Sequence, residues 1–155
     1  MIRAWRLARR VHSDPPATEA FSGRGAELFG SRWTPVGVRA AYASESRALA
    51  ALEYLVHAQR DLIPTDLVFS CAEFDDADVE LCRPPPDWDV AGSPSAVAHG
   101  ERWLRERRSL VLAVPSAVVR AERNYVINPL HPRGETLVIS DVLEPFVYDA
   151  RLLRV

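Results

Sequence analysis

The sequence predicts an α+β fold, and three observations carry that prediction. Strand-like and helix-like segments follow one another in mixed order, with more strands than helices and none of the regular βα alternation that a doubly wound sheet requires. Hydrophobic residues make up 48% and charged residues 26% of the 155-residue chain, ordinary globular usage that argues against a disordered tail, a collagen or a coiled coil. A chain of this length suits one domain, able to bury roughly 68–70% of the surface it exposes when unfolded.

Residues 2–7 read as a short strand. From 14 to 37 the chain carries Pro15, Pro16, Gly23, Gly25, Gly30, Pro35 and Gly37, too many breakers for a long regular element, so an irregular region is expected there. Residues 38–43 read as a strand running into Ser44 or Ser46, either of which suits the cap of a following helix. That helix is expected over 45–60, where Ala48, Leu49, Ala50, Ala51, Leu52 and Leu55 are good helix formers uninterrupted by Gly or Pro. Residues 66–74 alternate as a strand does, and 83–94, with Pro84, Pro85 and Pro86 in a row, must be a loop. A second helix is expected over 95–107 despite Gly100. A buried strand over 109–114 is stopped by Pro115, and two more strands are expected at 136–142 and 146–148.

Charge and cysteine usage exclude several functions. A net charge of −2 supplies no concentrated basic face for phosphate neutralisation, so nucleic acid is not the leading partner. The cluster Arg3, Arg6, Arg9 and Arg10 reads as part of a solvated face. All 19 basic residues are arginine, which removes Schiff-base chemistry and the phosphate-loop lysine together. Cys71 and Cys82 are too far apart for a C-x-x-C pair, and neither a leader-like segment nor an apolar run of about 18 residues is present. A cytoplasmic protein with reduced thiols and no membrane span is the expectation.

Glu53 is the clearest anomaly, because Leu49, Leu52 and Val56 stand at i−4, i−1 and i+3 and place a carboxylate within the helix's apolar stripe. Either it lies at the stripe's margin and reaches water, or it is buried beside a pocket that tunes it for catalysis. Arg32, in Gly30-Ser31-Arg32-Trp33, sits on a glycine-framed turn suited to bidentate anion recognition, with stacking on Trp33 as the plainer role. Gly23-Arg24-Gly25 does not extend to G-x-G-x-x-G, because Leu28 occupies the third glycine's place. Ser116 follows Pro115 without a G-x-S-x-G elbow, and capping of the next turn explains it without chemistry. Asn124 and Asn128 bracket Tyr125-Val126-Ile127 before Pro129, where turn chemistry accounts for both. The four histidines are scattered; Glu53 and His57 share i, i+4 spacing, but no second pair supports a metal site.

Taken together these residues form a pattern. Gly30-Ser31-Arg32-Trp33, Tyr42-Ala43-Ser44-Glu45-Ser46, Ala48-Leu49-Ala50-Ala51-Leu52-Glu53, Val114-Pro115-Ser116-Ala117-Val118-Val119 and Asn124-Tyr125-Val126-Ile127-Asn128-Pro129 resemble, in that order, the RES domain family. The resemblance runs from Trp5-Arg6 to the closing 146–152 and implies a single RES domain over 1–155. The family is named for an arginine, a glutamate and a serine, which here are Arg32, Glu53 and Ser116. Ser31 stands where the family often has a second glycine and Thr34 where it often has asparagine, departures that bear on the turn's shape.

The resemblance implies the toxin of a toxin–antitoxin operon, with a mixed fold related to ADP-ribosyltransferases, a central β core and flanking helices, that binds and degrades NAD. NAD is then the substrate, no cofactor is needed, and the reaction is glycohydrolase cleavage by water or phosphorolysis by inorganic phosphate. Cleavage requires anion recognition at the diphosphate and stabilisation of positive charge at the ribose. On this reading Arg32, with Arg6, holds the diphosphate, Tyr42 orients the nicotinamide ribose, Glu53 stabilises the oxocarbenium-like ribose, Ser116 bonds the nicotinamide or orients Glu53, and Asn124 lines the pocket. Glu53→Ala or Arg32→Ala is expected to abolish NAD loss with the fold intact. The implied partner is an antitoxin, a helix-turn-helix DNA-binding protein of the Xre type that occludes the pocket, so that DNA contact comes through the partner; a homodimer is compatible with the sequence. The rival readings are ADP-ribose transfer to a protein, and an inactive module that acts only by binding the antitoxin.

Overall fold

The structure is a computed structural model that describes residues 1–13 and 17–154. In chain order it contains β1 (Ile2–Arg9), two 3-10 turns at Arg10–His12 and Ala17–Phe21, α1 (Arg24–Phe29), β2 (Ala41–Ser44), α2 (Arg47–His57) and β3 (Leu67–Phe74). There follow β4 (Val79–Leu81), α3 (Pro94–Glu106), β5 (Val111–Pro115), β6 (Arg123–Ile127), β7 (Val138–Ile139) and β8 (Glu144–Phe146). Among the described residues eight strands form one mixed sheet in the order β4-β5-β6-β2-β1-β3-β7, with β8 also paired to β3. Every pairing is antiparallel except β4 with β5, and α3 is the crossover that this parallel pair needs. The architecture is the α+β class that the mixed element order predicts.

Both faces of the sheet are covered. On one side Ala4, Ala41, Ala43, Ala72, Phe74, Val111, Ala113, Tyr125 and Ile127 pack with Phe21 and Leu110. On the other, α2 lies over Trp5, Leu7, Leu67, Phe69 and Cys71, while α3 brings Ala96, Trp103 and Leu104 onto Leu112, Val114 and Val126. Alternate residues of β5 and β6 thus enter opposite cores, as the two-residue period of a strand requires. The gap between α2 and α3 lies over β2 and β6, where Tyr42, Ser44 and Asn124 occupy the same face of the sheet as the two helices.

The element boundaries shift in instructive ways. The strand expected at 38–43 is Ala41–Ser44, and the helix expected over 45–60 starts after Ser46, whose hydroxyl accepts the Leu49 N–H at 3.0 Å, and ends at His57. The breaker-rich region contains a helix after all, because Gly23 and Gly30, at φ of 76° and 69°, frame α1 rather than interrupt it; its opening, 14–16, lies outside the described residues. Gly100 sits inside α3 because a Cβ there would meet the Trp33 carbonyl oxygen at 1.9 Å, so the helix and the turn of Arg32 approach as only a glycine permits. Pro94, expected in the loop, is the first residue of α3, where a missing N–H costs nothing, and Ser93 caps it. The strand at 136–142 shrinks to Val138–Ile139 because Gly134–Thr136 is a 3-10 turn, and the one at 146–148 moves to Glu144–Phe146. The strands β4 and β6 are additions to the predicted set.

Candidate active site

The Glu53 anomaly resolves differently from the stripe that announced it. Leu52 is 37% and Val56 62% exposed, so the buried side of α2 is marked by Leu49 and Ala50 instead. Glu53, one turn on from both, is half-buried at the margin of that side and faces the gap between the helices. There its Oε1 accepts from Ser116 Oγ at 2.8 Å and from Asn124 Nδ2 at 2.5 Å.

Each donor is itself fixed. The fully buried Ser116 hydroxyl accepts the backbone N–H groups of Val118 and Val119, both at 3.0 Å, so its single proton is directed to Glu53. The expected capping role of Ser116 is therefore real, and it serves the contact with Glu53. Asn124 is not a turn residue: it lies in β6 opposite Ser44 and Val114, and Ser44 Oγ donates to its Oδ1 at 2.7 Å. That bond sets the amide with its NH2 toward Glu53. Asn128 does have the expected turn role, its Oδ1 accepting the Leu130 N–H at 3.1 Å. Oε1 is thus held by two donors, and Oε2 has no hydrogen-bond partner among the described residues.

Tyr42 is two residues before Ser44 on β2 and hence on the same face. Its phenol hydroxyl accepts from Ser31 Oγ and stands 3.0 Å from Thr34 Oγ1, while those two hydroxyls are 2.9 Å apart. Burial pushes the Tyr42 phenol up to about 12, so it is neutral at physiological pH. Ser31 and Thr34 flank Arg32 in a turn closed by Ser31 N–H to Thr34 O at 2.8 Å. Through this turn Tyr42 joins Arg32 to the face that carries Glu53.

Arg32 does not stack on Trp33. Trp33 is buried and stacks with Trp88, ring centroids 6.1 Å apart and planes 15° apart. Arg32 instead places its Cζ 6.0 Å from the Trp88 ring centroid and donates Nη1 to the carbonyls of Trp88 at 2.9 Å and Val90 at 3.3 Å.

Arg6 meets the site only through main chain. The β1–β2 ladder is a single pair, Trp5 with Ser44, and beyond it Arg6 Nη1 donates to the Tyr42 carbonyl at 2.9 Å. Its Nε is buried without a hydrogen-bond partner, and burial pushes the guanidinium's pKa down.

The fold thus brings Glu53, Ser116 and Asn124 into direct contact, sets Tyr42 and the Arg32 turn beside them, and leaves Arg6 behind the Tyr42 backbone. A cleft of about 170 Å³ lies elsewhere, at the start of α2, between Trp5, Cys71, Arg47 and Glu144, and contains none of the predicted site residues. Sequence reading missed Ser44 and Trp88 as members of the constellation. Ser44 had a signal, its place two residues beyond Tyr42 on a strand; Trp88, inside a proline-rich loop, had none.

No group of three metal-binding side chains occurs among the described residues, and both cysteines are free thiols. No helix among the described residues is long and apolar enough to cross a membrane.

Comparison with known proteins places the chain in a family. The RES domain model matches residues 3–149. The chain is 37% identical to a Sphingobium protein named Prs ADP-ribosylating toxin, over 97% of this chain and 96% of that protein. It is 35% identical to the Yersinia enterocolitica Toxin Res, over 85% and 90% of the two chains. Among solved structures, the Mycobacterium tuberculosis MbcT–MbcA toxin–antitoxin complex contains a chain that superposes with a TM-score of 0.65 at 19% identity, covering 90% of this chain and 81% of that one, which shows a shared fold. The chain belongs to the RES domain family.

Proposed function

We propose that this RES domain protein, the toxin of a toxin–antitoxin pair, acts in the cytoplasm by cleaving the nicotinamide–ribose bond of NAD. The observation that carries this reading is the placement of Glu53: one carboxyl oxygen is held by two oriented donors and the other has no hydrogen-bond partner among the described residues. A carboxylate so fixed suits a sugar carbon that becomes positive as its leaving group departs. Nicotinamide leaves with the bonding electrons of the glycosidic nitrogen. Water or inorganic phosphate then attacks the ribose C1, giving ADP-ribose with release of a proton, or ADP-ribose 1-phosphate.

Arg32 recognises the diphosphate with the guanidinium edge that Trp88 and Val90 leave open, and Arg6 adds positive charge from behind β2. The neutral Tyr42, its hydroxyl already engaged, orients the ribose through its ring. Ser116 and Asn124 position Glu53. The chain needs no cofactor for this reaction. Purified protein incubated with NAD, with and without phosphate, and followed by product mass tests the proposal and separates hydrolysis from phosphorolysis. Undiminished NAD in both incubations contradicts it.

Transfer of ADP-ribose to a protein is the second reading, favoured by the name of the Sphingobium relative, an ADP-ribosylating toxin. Labelled NAD in cell extract distinguishes it, because transfer leaves label on protein. An antitoxin partner is supported by the complex in which the structural neighbour occurs; we propose that it is a helix-turn-helix protein of the Xre type. A module that only binds its antitoxin is the third reading, and predicts that Glu53→Ala leaves growth inhibition unchanged.

A further inference from the structure

The loop 82–93 between β4 and α3 is built more firmly than a connection needs to be. Three successive turns run through it: Trp88 N–H to Pro85 O, Val90 N–H to Asp87 O and Ser93 N–H to Val90 O, each 3.1 Å. The three prolines before Asp87 remove conformational freedom from the same stretch. The Asp87 carboxylate accepts from Ser93 Oγ at 3.0 Å and Ser95 Oγ at 2.5 Å, tying the loop to the cap of α3. Trp88 packs with the core cluster under α3.

This segment touches both sides of the candidate site. On one side the carbonyls of Trp88 and Val90 take Arg32 Nη1. On the other, Asp89 Oδ2 accepts from Arg120 Nη2 at 2.6 Å, and Arg120 belongs to the turn that begins at Ser116 and closes with Ser116 N–H to Glu122 O at 3.0 Å. Because Nη1 alone is taken, the Nε and Nη2 groups, the pair that forms a side-on fork, are left without a partner among the described residues. A guanidinium on a flexible stem loses considerable rotamer entropy when it binds an anion, and a carbonyl bracket that orders it beforehand lessens that loss.

We infer that Trp88 is a positioning residue for Arg32: its ring anchors a rigid bracket whose carbonyls aim the Nε/Nη2 edge of Arg32 at the diphosphate of a dinucleotide, while Asp89 and Arg120 fix the bracket relative to the Ser116 turn. This inference rests on the NAD reading above.

The test is a double-mutant cycle in NAD affinity, measured by titration calorimetry in a Glu53→Gln parent that does not consume the ligand. Trp88→Ala is expected to weaken NAD binding about tenfold, the worth of one charge-assisted contact, and to add less than about twofold once Arg32→Ala is present. Trp88→Phe, which keeps a packed ring, is expected to recover affinity to within about threefold of the parent. In the active enzyme Trp88→Ala raises KM with kcat within about twofold.

Should Trp88→Ala lose its cooperative melting, Asp89→Asn, which disturbs only the exposed link to Arg120, is expected to weaken binding about threefold, again only while Arg32 is present. Losses that multiply across the cycle, or unchanged affinity in Trp88→Ala or in the folded Asp89→Asn substitute, overturn the inference alone. A parent that binds no NAD, together with a wild type that consumes none, overturns the functional reading and this inference with it.

Discussion

Ser116 Oγ lies 2.8 Å from Glu53 Oε1, and the two backbone N–H groups that bond the same hydroxyl leave its proton no other direction. A serine that is also a turn cap therefore acts as a fixed donor to the carboxylate. Asn124 converges on the same oxygen at 2.5 Å, so Glu53 is held at one end and open at the other.

Ser116→Ala removes one of two donors to Oε1 and leaves two N–H groups of the turn without their acceptor. The first effect is expected to lower kcat for NAD loss by about ten- to a hundredfold with KM little changed, since a charged hydrogen bond is worth about 1.5–3 kcal/mol. The second is expected to cost about 1 kcal/mol of stability, read from the denaturant midpoint. An unchanged kcat contradicts the positioning role of Ser116.

Ser44→Ala tests the relay at longer range. Ser44 is buried and touches Glu53 only through the Asn124 amide, whose orientation it sets. Freed from that bond, the amide can present its oxygen instead of its NH2 to the carboxylate, and kcat is expected to fall by about three- to tenfold. Ser44→Thr, which keeps the hydroxyl, is expected to restore most of the rate. Equal losses in both variants point to packing instead.

The helix of Glu53 was legible because Ala and Leu dominate it and Ser46 offers a cap, both local facts. Of the two places open to Glu53, the margin is the one it takes, because Leu52 and Val56 face solvent; which side of an amphipathic helix meets the sheet is decided by the strands beneath it. Local pattern assigns Asn124 to a turn because Asn128 and Pro129 follow so closely, and the family resemblance alone places it in the pocket. Only the register of β6 against β2, a pairing between residues about eighty positions apart, makes it a donor to Glu53. Arg32 was legible as an anion-binding candidate from its glycine-framed turn, but its true neighbour, Trp88, comes from a loop that no local pattern joins to it.

Gly100→Ala tests the contact that seats the Arg32 turn. The new methyl group would lie 1.9 Å from the Trp33 carbonyl oxygen, a backbone atom that cannot move alone. Helix propensity favours alanine by only about 1 kcal/mol, whereas overpacking costs about 1–3 kcal/mol or more. Net destabilisation of about 2 kcal/mol in chemical denaturation is expected, with weaker NAD binding from the displaced turn. A stabilised variant contradicts the close approach of α3 to that turn.

Alkaline titration tests the burial of Tyr42. Its phenol holds its proton to about 12 in the folded chain, against an ordinary value of 10.0, because burial disfavours the phenolate. Folded and unfolded forms are both neutral below pH 10, so Tyr42 then adds no pH dependence. As pH rises from 10 toward 12 the unfolded chain releases a proton that the folded chain keeps, and stability is lost over that window. Phenolate absorbance is expected to show Tyr42 and Tyr148 ionising late, with one late group missing in Tyr42→Phe. Ionisation of every tyrosine near pH 10 contradicts that burial.

NAD remaining after incubation with wild-type protein and with Glu53→Ala, each first shown to melt cooperatively at the same temperature, tests the central claim most directly. Nicotinamide release and NAD depletion are expected with the wild type, and a rate lower by at least about a hundredfold with the variant. Equal depletion by both proteins, or intact NAD with the wild type, contradicts it.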